Sequence, residues 1–200
     1  MTDILDEQGE KVAQEIGDAA HYVHLDVSQE DQWQKAIEET VKTFGKLTIL
    51  INNAGIADMR GVAAEQFDAE TFNNILSVDL VGAFYHAREC GRHMLENRSG
   101  AIVNICSIMG SGGNENNIIG YTAAKGGLRN MTLQMGCEWA DRGVRVNAVS
   151  PGFIVTEMTR PALEAMGIDK WIASRTPMRR VGEAQEVTNA VMFLASDLAS

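Results

Sequence analysis

The chain has 200 residues, a net charge of −10 and 45% hydrophobic residues. That length suits one domain with a substantial core, and that composition is not the composition of a disordered chain. The acidic balance argues against a nucleic-acid binder or a polybasic membrane contact, and no apolar run approaches the ~20 residues of a transmembrane helix.

The first residues, Met1 to Glu7, are acidic and lack the basic start of a signal peptide. The three cysteines, Cys90, Cys106 and Cys137, have no CxxC spacing and read as reduced thiols packed as small hydrophobes, which places the protein in the cytoplasm. His86 and His93 stand two turns apart on a predicted helix, a spacing that is more often packed or solvated than metal-binding. No metal site is expected.

Taken in order, residues 6–16 read as a helix closed by Gly17, and 21–25 as a strand. Ser28 then caps a helix, with Asp31 completing a capping-box pattern and Trp33, Ile37, Val41 and Phe44 forming the apolar stripe up to Gly45. Residues 47–51 form a buried strand. Asp68 starts a long helix that runs to about Asn97, followed by a strand over 101–105. Residues 120–141 make a second long helix, 144–149 a further strand, 157–180 a short helical excursion and 183–196 a closing helix. Strands alternating with helices are the pattern of βαβ units and a parallel sheet, and nothing along the chain suggests a repeat or a linker. One domain, 1–200, is expected, with 157–180 as a lid.

Tyr121 and Lys125 stand at i and i+4 and share a helix face. A free phenol is a poor base at neutral pH, and a lysine cation beside it favours the phenolate. The pair could then pass a proton to or from a substrate oxygen while hydride moves at the adjacent carbon. Alone, such a pair is as easily two unrelated surface residues. Its setting is more specific. Ser107 follows the strand over 101–105, at the edge where open α/β sheets bind ligands. Asn52-Asn53-Ala54-Gly55 and Pro151-Gly152-Phe153-Ile154 follow the neighbouring strands at that same edge.

Asn52-Asn53-Ala54-Gly55, Ser107, Tyr121-x-x-x-Lys125 and Pro151-Gly152, in this order, resemble the signature of the classical short-chain dehydrogenases/reductases. Leu25-Asp26-Val27, Asn147 and Phe193-Leu194-Ala195-Ser196 resemble their counterparts in that family, so the likeness spans the chain. It implies a Rossmann-type, doubly wound parallel sheet in a three-layer α/β/α arrangement. It also implies an oxidoreductase moving hydride between NAD(P) and a secondary alcohol or ketone. Tyr121 would be the acid/base, Lys125 would favour its phenolate and hold the nicotinamide ribose, and Ser107 would orient the substrate carbonyl. Asp26 and Val27 would flank the adenine. Asn53, Ala54 and Gly55 would lie along the cofactor, with Pro151, Gly152, Ile154 and Thr156 bordering the nicotinamide.

The chain departs from the family pattern in three places. The first strand and its glycine-rich pyrophosphate turn are absent, which implies a partial sequence that would not bind NAD or fold well alone. With most of the first two strands removed, the sheet would have a gap of ~14 Å at the usual strand spacing of roughly 4.8 Å. Asp79, in Ser77-Val78-Asp79-Leu80-Val81-Gly82, occupies the helical position where the family usually has a catalytic asparagine. Ionised Asp only accepts hydrogen bonds, where Asn also donates. The loop 108–120 is one residue longer than the commonest pattern and rich in Gly and Asn.

Asp3 falls where the family's second strand ends. A carboxylate there accepts from the ribose hydroxyls and repels a 2′-phosphate, which favours NAD over NADP. The alternative is a solvated terminal Asp. The lid is expected to include Met158, Met166, Trp171 and Met178, with Phe153 and Met109 nearby as substrate contacts beside Ser107 and Tyr121. Adaptable methionine walls and the asparagines of the long loop suit a polyol, a sugar acid or a small hydroxy-ketone. A 3-oxoacyl thioester on a carrier protein is the alternative within the enzyme class, with Arg98, Arg129, Arg160, Arg179 and Arg180 as candidate docking charges. A nucleotide-binding regulatory protein or an inactive fragment is the alternative outside it. The helices over 68–97 and 120–141 resemble those that pair between family subunits, so a homodimer or homotetramer is expected, with Cys137 and Trp139 at the interface or in the core.

Overall fold

The computed structural model describes residues 1–157, 159–160, 172 and 174–200. Chain order runs β1 (Thr2–Asp3), α1 (Asp6–Ile16), β2 (Val23–His24), α2 (Glu30–Phe44), β3 (Ile49–Asn52) and α3 (Ala69–Leu76). It continues with a π-helical turn (Ser77–Gly82), α4 (Ala83–Glu96), β4 (Gly100–Ile105), α5 (Ile119–Trp139), β5 (Val144–Val149), β6 (Ile154–Val155), β7 (Gly182–Glu183) and α6 (Ala184–Ala195). Every strand pair is parallel: β1 with β2, β3 with β4 and β4 with β5, and β6 with β7.

Alternation along β5 shows the three layers. Val144 and Val146 turn to one face and join Ala87, Cys90 and Met94 of α4, Ile102 of β4, and Met135 and Trp139 of α5 in the main core. Arg145 turns to the other face, where its guanidinium donates to the Leu194 and Ser196 carbonyls at the end of α6. Each fully buried aliphatic side chain in such a core contributes about 1.5–3 kcal/mol of transfer free energy. The result is the Rossmann-type α/β/α arrangement that the sequence pattern implies.

The element boundaries bring several corrections. Ser28 does not cap α2. Its hydroxyl donates to Asp26 Oδ1 at 2.7 Å, in a local turn, and Gln29 is the residue that precedes the helix. Asp68 does cap α3, accepting from the Thr71 N–H at 2.7 Å, but the long helix is broken after Leu76 by the π-helical turn that carries Asp79. The sequence predicts a buried β3, yet Ile49 and Ile51 are 48% and 38% exposed, on a face that no element among the described residues covers fully. The open sheet edge is also narrower than expected. Thr2–Asp3 is present as a strand paired with Val23–His24, and among the described residues the β1–β2 and β3–β4–β5 ladders are not hydrogen-bonded to each other.

A second core, Leu25, Trp33 and Ala36 with Val23, Val27 and Tyr85, ties the β1–β2 flank to α4. The Glu30–Arg88 ion pair and the packing of Trp33 on the His86 ring reinforce that seam. Of the expected lid, Met158, Met166 and Trp171 lie outside the described residues, while Met178 is strongly exposed. No helix among the described residues is long and apolar enough to cross a membrane.

Candidate active site

Three strand ends meet at one edge of the sheet. β3 and β4 are in register through Asn52 and Asn104, and β4 and β5 through Ile105 and Val149. The pairing continues past the strands: the Cys106 N–H donates to the Val149 carbonyl and the Ile108 N–H to the Pro151 carbonyl. The segments after β4 and β5 are thus stitched together where Ser107 and Pro151-Gly152 sit.

Ser107 is buried in an extended backbone conformation and opens a tight turn over Ile108–Ser111. Its Oγ accepts from the Met109 N–H at 3.1 Å, which leaves its O–H to donate elsewhere. That turn docks on α5. A Cβ on Gly110 would lie 2.6–2.7 Å from the Lys125 carbonyl atoms, so only glycine permits this approach. Ser107 and the Tyr121–Lys125 helix are in this way held at a fixed separation by backbone contact.

On α5, the Lys125 Nζ lies 5.5 Å from the centre of the Tyr121 ring. It donates to the Ile105 carbonyl at 3.0 Å and faces Asp79 Oδ2 at 3.1 Å, in a pair whose side chains are 4% and 0% exposed. Asp79 Oδ1 accepts from the Ile56 N–H at 2.7 Å, tying the loop after β3 to the π-helical turn. A π turn inside a helix shifts one residue out of its α register, and here it turns Asp79 inward. Burial pushes the Asp79 carboxyl above the usual carboxylate range, while the Lys125 ammonium and the Ile56 N–H pull it back. The Tyr121 hydroxyl is half-buried and has no hydrogen-bond partner among the described residues.

The structure therefore brings Ser107, Tyr121, Lys125 and Asp79 to one place, with Gly55, Pro151 and Gly152 around it. Asn53 and Ala54 are exposed along the loop after β3, and Met109 and Phe153 are half-buried on the loops that follow β4 and β5. Ile154 lies in β6, and Thr156 takes part in a threonine turn in which the Thr159 hydroxyl bridges the Thr156 N–H and the Ile154 carbonyl. Asp26 and Val27 follow β2, and the Val27 carbonyl packs against Gly82 of the π-helical turn, where a Cβ would lie 2.8 Å from it. The Asp26 carboxylate is held below its usual range by the Ser28 hydroxyl and N–H. Asp3 is at the exposed end of β1. Its Oδ1 accepts from the N–H groups of Ile4 and Leu5, which leaves Oδ2 without a hydrogen bond among the described residues.

A buried network beneath the site was not anticipated. Asn52 donates to Asn104 Oδ1 at 2.8 Å, Asn104 donates to the Thr132 hydroxyl at 2.8 Å, and Asn52 Oδ1 is 2.6 Å from His86 Nδ1. It links β3, β4, α4 and α5. Its sequence signal is an asparagine inside each of two apolar strands, Ile49-Leu-Ile-Asn52 and Ile102-Val-Asn-Ile105. His86 is held neutral by burial, which lowers its pKa to about 3.

A parallel sheet with a serine past one strand end, beside a helix that carries a tyrosine and a lysine one turn apart, fits a dinucleotide-dependent oxidoreductase of the Rossmann type. A family model described as enoyl-(acyl carrier protein) reductase matches residues 1–200. A 3-alpha-(or 20-beta)-hydroxysteroid dehydrogenase of Mycobacterium tuberculosis is 40% identical over 201 residues, covering 99% of this chain and 72% of that protein. A galactitol 2-dehydrogenase (L-tagatose-forming) of Cereibacter sphaeroides is 37% identical over 193 residues, covering 96% of this chain and 75% of that protein. Among solved structures, a gluconate 5-dehydrogenase from Burkholderia cenocepacia in complex with NADP and tartrate matches with a TM-score of 0.92 at 32% identity, covering 100% of this chain and 78% of that one. The chain belongs to the short-chain dehydrogenase/reductase family, oxidoreductases that move hydride between NAD(P) and a secondary alcohol or ketone.

Proposed function

We propose that the protein interconverts a secondary alcohol and a ketone on a small hydroxylated molecule, a polyol or sugar acid, with Ser107, Tyr121 and Lys125 as its working residues. The observation that supports this reading is the docking of the Ser107 turn on α5 at Lys125 through Gly110, which holds the proposed donor close to the helix that carries the proposed acid/base. A nicotinamide cofactor, when bound, supplies or accepts the hydride. The chain's own residues do the rest. The Ser107 O–H donates to the substrate oxygen and fixes its position. Tyr121 takes the alcohol proton in oxidation and returns it in reduction. The Lys125 ammonium favours the phenolate and keeps a donor for a ribose hydroxyl. The exposed residues Asn53, Ala54 and Gly152 offer backbone that a cofactor can approach closely.

NAD is the preferred cofactor in this reading. Asp3 Oδ2 suits ribose hydroxyls and repels a 2′-phosphate, although the gluconate 5-dehydrogenase cited above was solved with NADP. That structure's tartrate and the galactitol dehydrogenase support a polyhydroxylated substrate. The asparagines 114, 116 and 117 of the loop after Ser107 offer it polar contacts. The outer face of α4 and α5 exposes Phe84 beside Met131, which suits pairing between two copies in a homodimer or tetramer. The buried thiols of Cys90 and Cys106 fit the reducing cytoplasm.

The test is Tyr121→Phe, assayed for NAD(P)-coupled turnover of a panel of polyols, sugar acids and their ketones. Loss of one hydroxyl leaves the fold intact, so an unchanged melting temperature with turnover down about 10²-fold or more is expected. Turnover near wild type would overturn the assignment.

A further inference from the structure

The charge balance at the Tyr121–Lys125 pair is unusual in one respect. Lys125 is not a lone cation beside a phenol. Its ammonium is closed into a buried ion pair with Asp79, 3.1 Å away. The loop after β3 seals that pair. A Cβ on Gly55 would stand 2.9 Å from Asp79 Oδ2 and 3.2 Å from Lys125 Nζ, so the missing side chain lets backbone cover the two charges and keep water from screening them. Oδ1 is fixed by the Ile56 N–H, and Nζ is fixed from its other side by the Ile105 carbonyl. Both charges are thus anchored by main chain, from the loop after β3 and from the end of β4.

We propose that Asp79 is the counter-ion that sets how much of the Lys125 charge reaches the Tyr121 hydroxyl, and thereby the pH at which Tyr121 exchanges its proton with substrate. This rests on Tyr121 being the acid/base. An isolated ammonium would favour the phenolate strongly. Paired with a carboxylate it acts as a dipole, and the phenol keeps its proton to higher pH. An asparagine in the same place could still accept from the Ile56 N–H while leaving the ammonium unopposed. Asp79 pairs with Lys125 and accepts from the Ile56 N–H, with no bond to Tyr121 among the described residues, so it would act through Lys125 as a positioning residue.

The other titratable or charged groups around the pair, among the described residues, are few. Cys106, the residue after β4, is a thiol pushed up by burial, and Arg129 lies one turn beyond Lys125 on α5. Asp58, farther along the loop after β3, is neutralised by Arg60. Among the described residues, no carboxylate other than Asp79 pairs with Lys125.

The experiment is the pH dependence of kcat/KM for alcohol oxidation by the full chain, wild type against Asp79→Asn and Asp79→Glu, together with an ultraviolet titration of tyrosinate corrected with Tyr121→Phe. The second readout needs neither turnover nor cofactor. Asp79→Asn is expected to move the acid limb, and the Tyr121 tyrosinate signal, to lower pH by about one unit. That is the scale of a full charge acting across roughly 10 Å at an effective dielectric of ~20. Asp79→Glu keeps the charge and should hold both close to wild type. An unmoved limb and tyrosinate signal in Asp79→Asn, or a rise, would overturn the proposal. Should Asp79→Asn fail to fold, Asp79→Glu decides: a one-unit downward shift with the charge retained would equally overturn it. If Tyr121→Phe abolishes turnover while Asp79→Asn leaves the profile in place, this inference falls alone. If Tyr121→Phe turns over normally, it falls with the catalytic reading.

Discussion

The two flanks of the β3 edge are built to different standards. On one side, β3, β4 and β5 form a continuous parallel ladder packed on α4 and α5, with Ala87, Met94, Ile102 and Val144 wholly buried. On the other, β1 and β2 are two residues each, and Ile4, Leu5, Val12 and Ile16 are largely exposed. Ser107, Tyr121 and Lys125, the proposed reacting side chains, sit on the first side, while Asp3, Asp26 and Val27, proposed for the adenosine end, belong to the second. In that reading the chemistry would occupy the dense side and nucleotide selection the thinner one. That division implies that the two functions can be damaged separately.

The largest effect is expected from Lys125→Met. It removes the cation beside Tyr121 and strands the Asp79 carboxylate in the interior, which costs about 3–5 kcal/mol. Turnover should fall about 10²-fold or more, with a clear drop in melting temperature. An active, fully stable variant would show that the buried pair is not what organises this side.

Truncations of the two cores come next. Met94→Ala, in the dense core, should cost about 2–5 kcal/mol and lower stability and activity together. Trp33→Ala should cost about 3–5 kcal/mol if the seam is part of the same cooperative unit. If the flank opens separately, hydrogen exchange will speed up in α1 and α2 alone, KM for the cofactor will rise, and β4 will stay protected. Exchange mapped by segment separates the two outcomes.

A pH effect belongs to the seam as well. His86 is depressed to about 3 in the folded chain by burial, against about 6.5 unfolded. Between these values the unfolded chain binds a proton that the folded one does not. Stability from this group is therefore complete above pH ~6.5 and declines as pH falls toward 3, by on the order of a few kcal/mol. His86→Gln should flatten that decline in melts taken at pH 7 and pH 5. An identical slope in the variant would place the acid sensitivity elsewhere.

The smallest effect on the fold, and the most specific on function, is expected from Asp3→Ser. Stability should barely change at this exposed site beyond the loss of the Ile4 and Leu5 hydrogen bonds. The ratio of kcat/KM for NAD over NADP should fall. A wild-type preference for NADP would remove Asp3 from the cofactor site and leave it as a turn-forming residue.

By itself the sequence determined the alternation of strands and helices, the strand over 144–149 and the end of the first helix at Gly17, because apolar periodicity and glycine stops are local properties of the chain. It also determined which residues to watch: Ser107, Tyr121 and Lys125 stand at strand ends or share a helix face, and the spacing says so without coordinates. It identified Asp79 as out of pattern without showing what it touches. Only the tertiary structure paired Asp79 with Lys125, because the π-helical turn that aims it inward breaks the helical period on which a sequence reading relies. Likewise only packing decided that Ser28 serves Asp26 and not α2, that Ile49 and Ile51 lie on an incompletely covered face, and that two strand asparagines join His86 and Thr132 in a buried network. Those outcomes depend on what is next to a residue in space, and that is set by contacts between segments tens of residues apart.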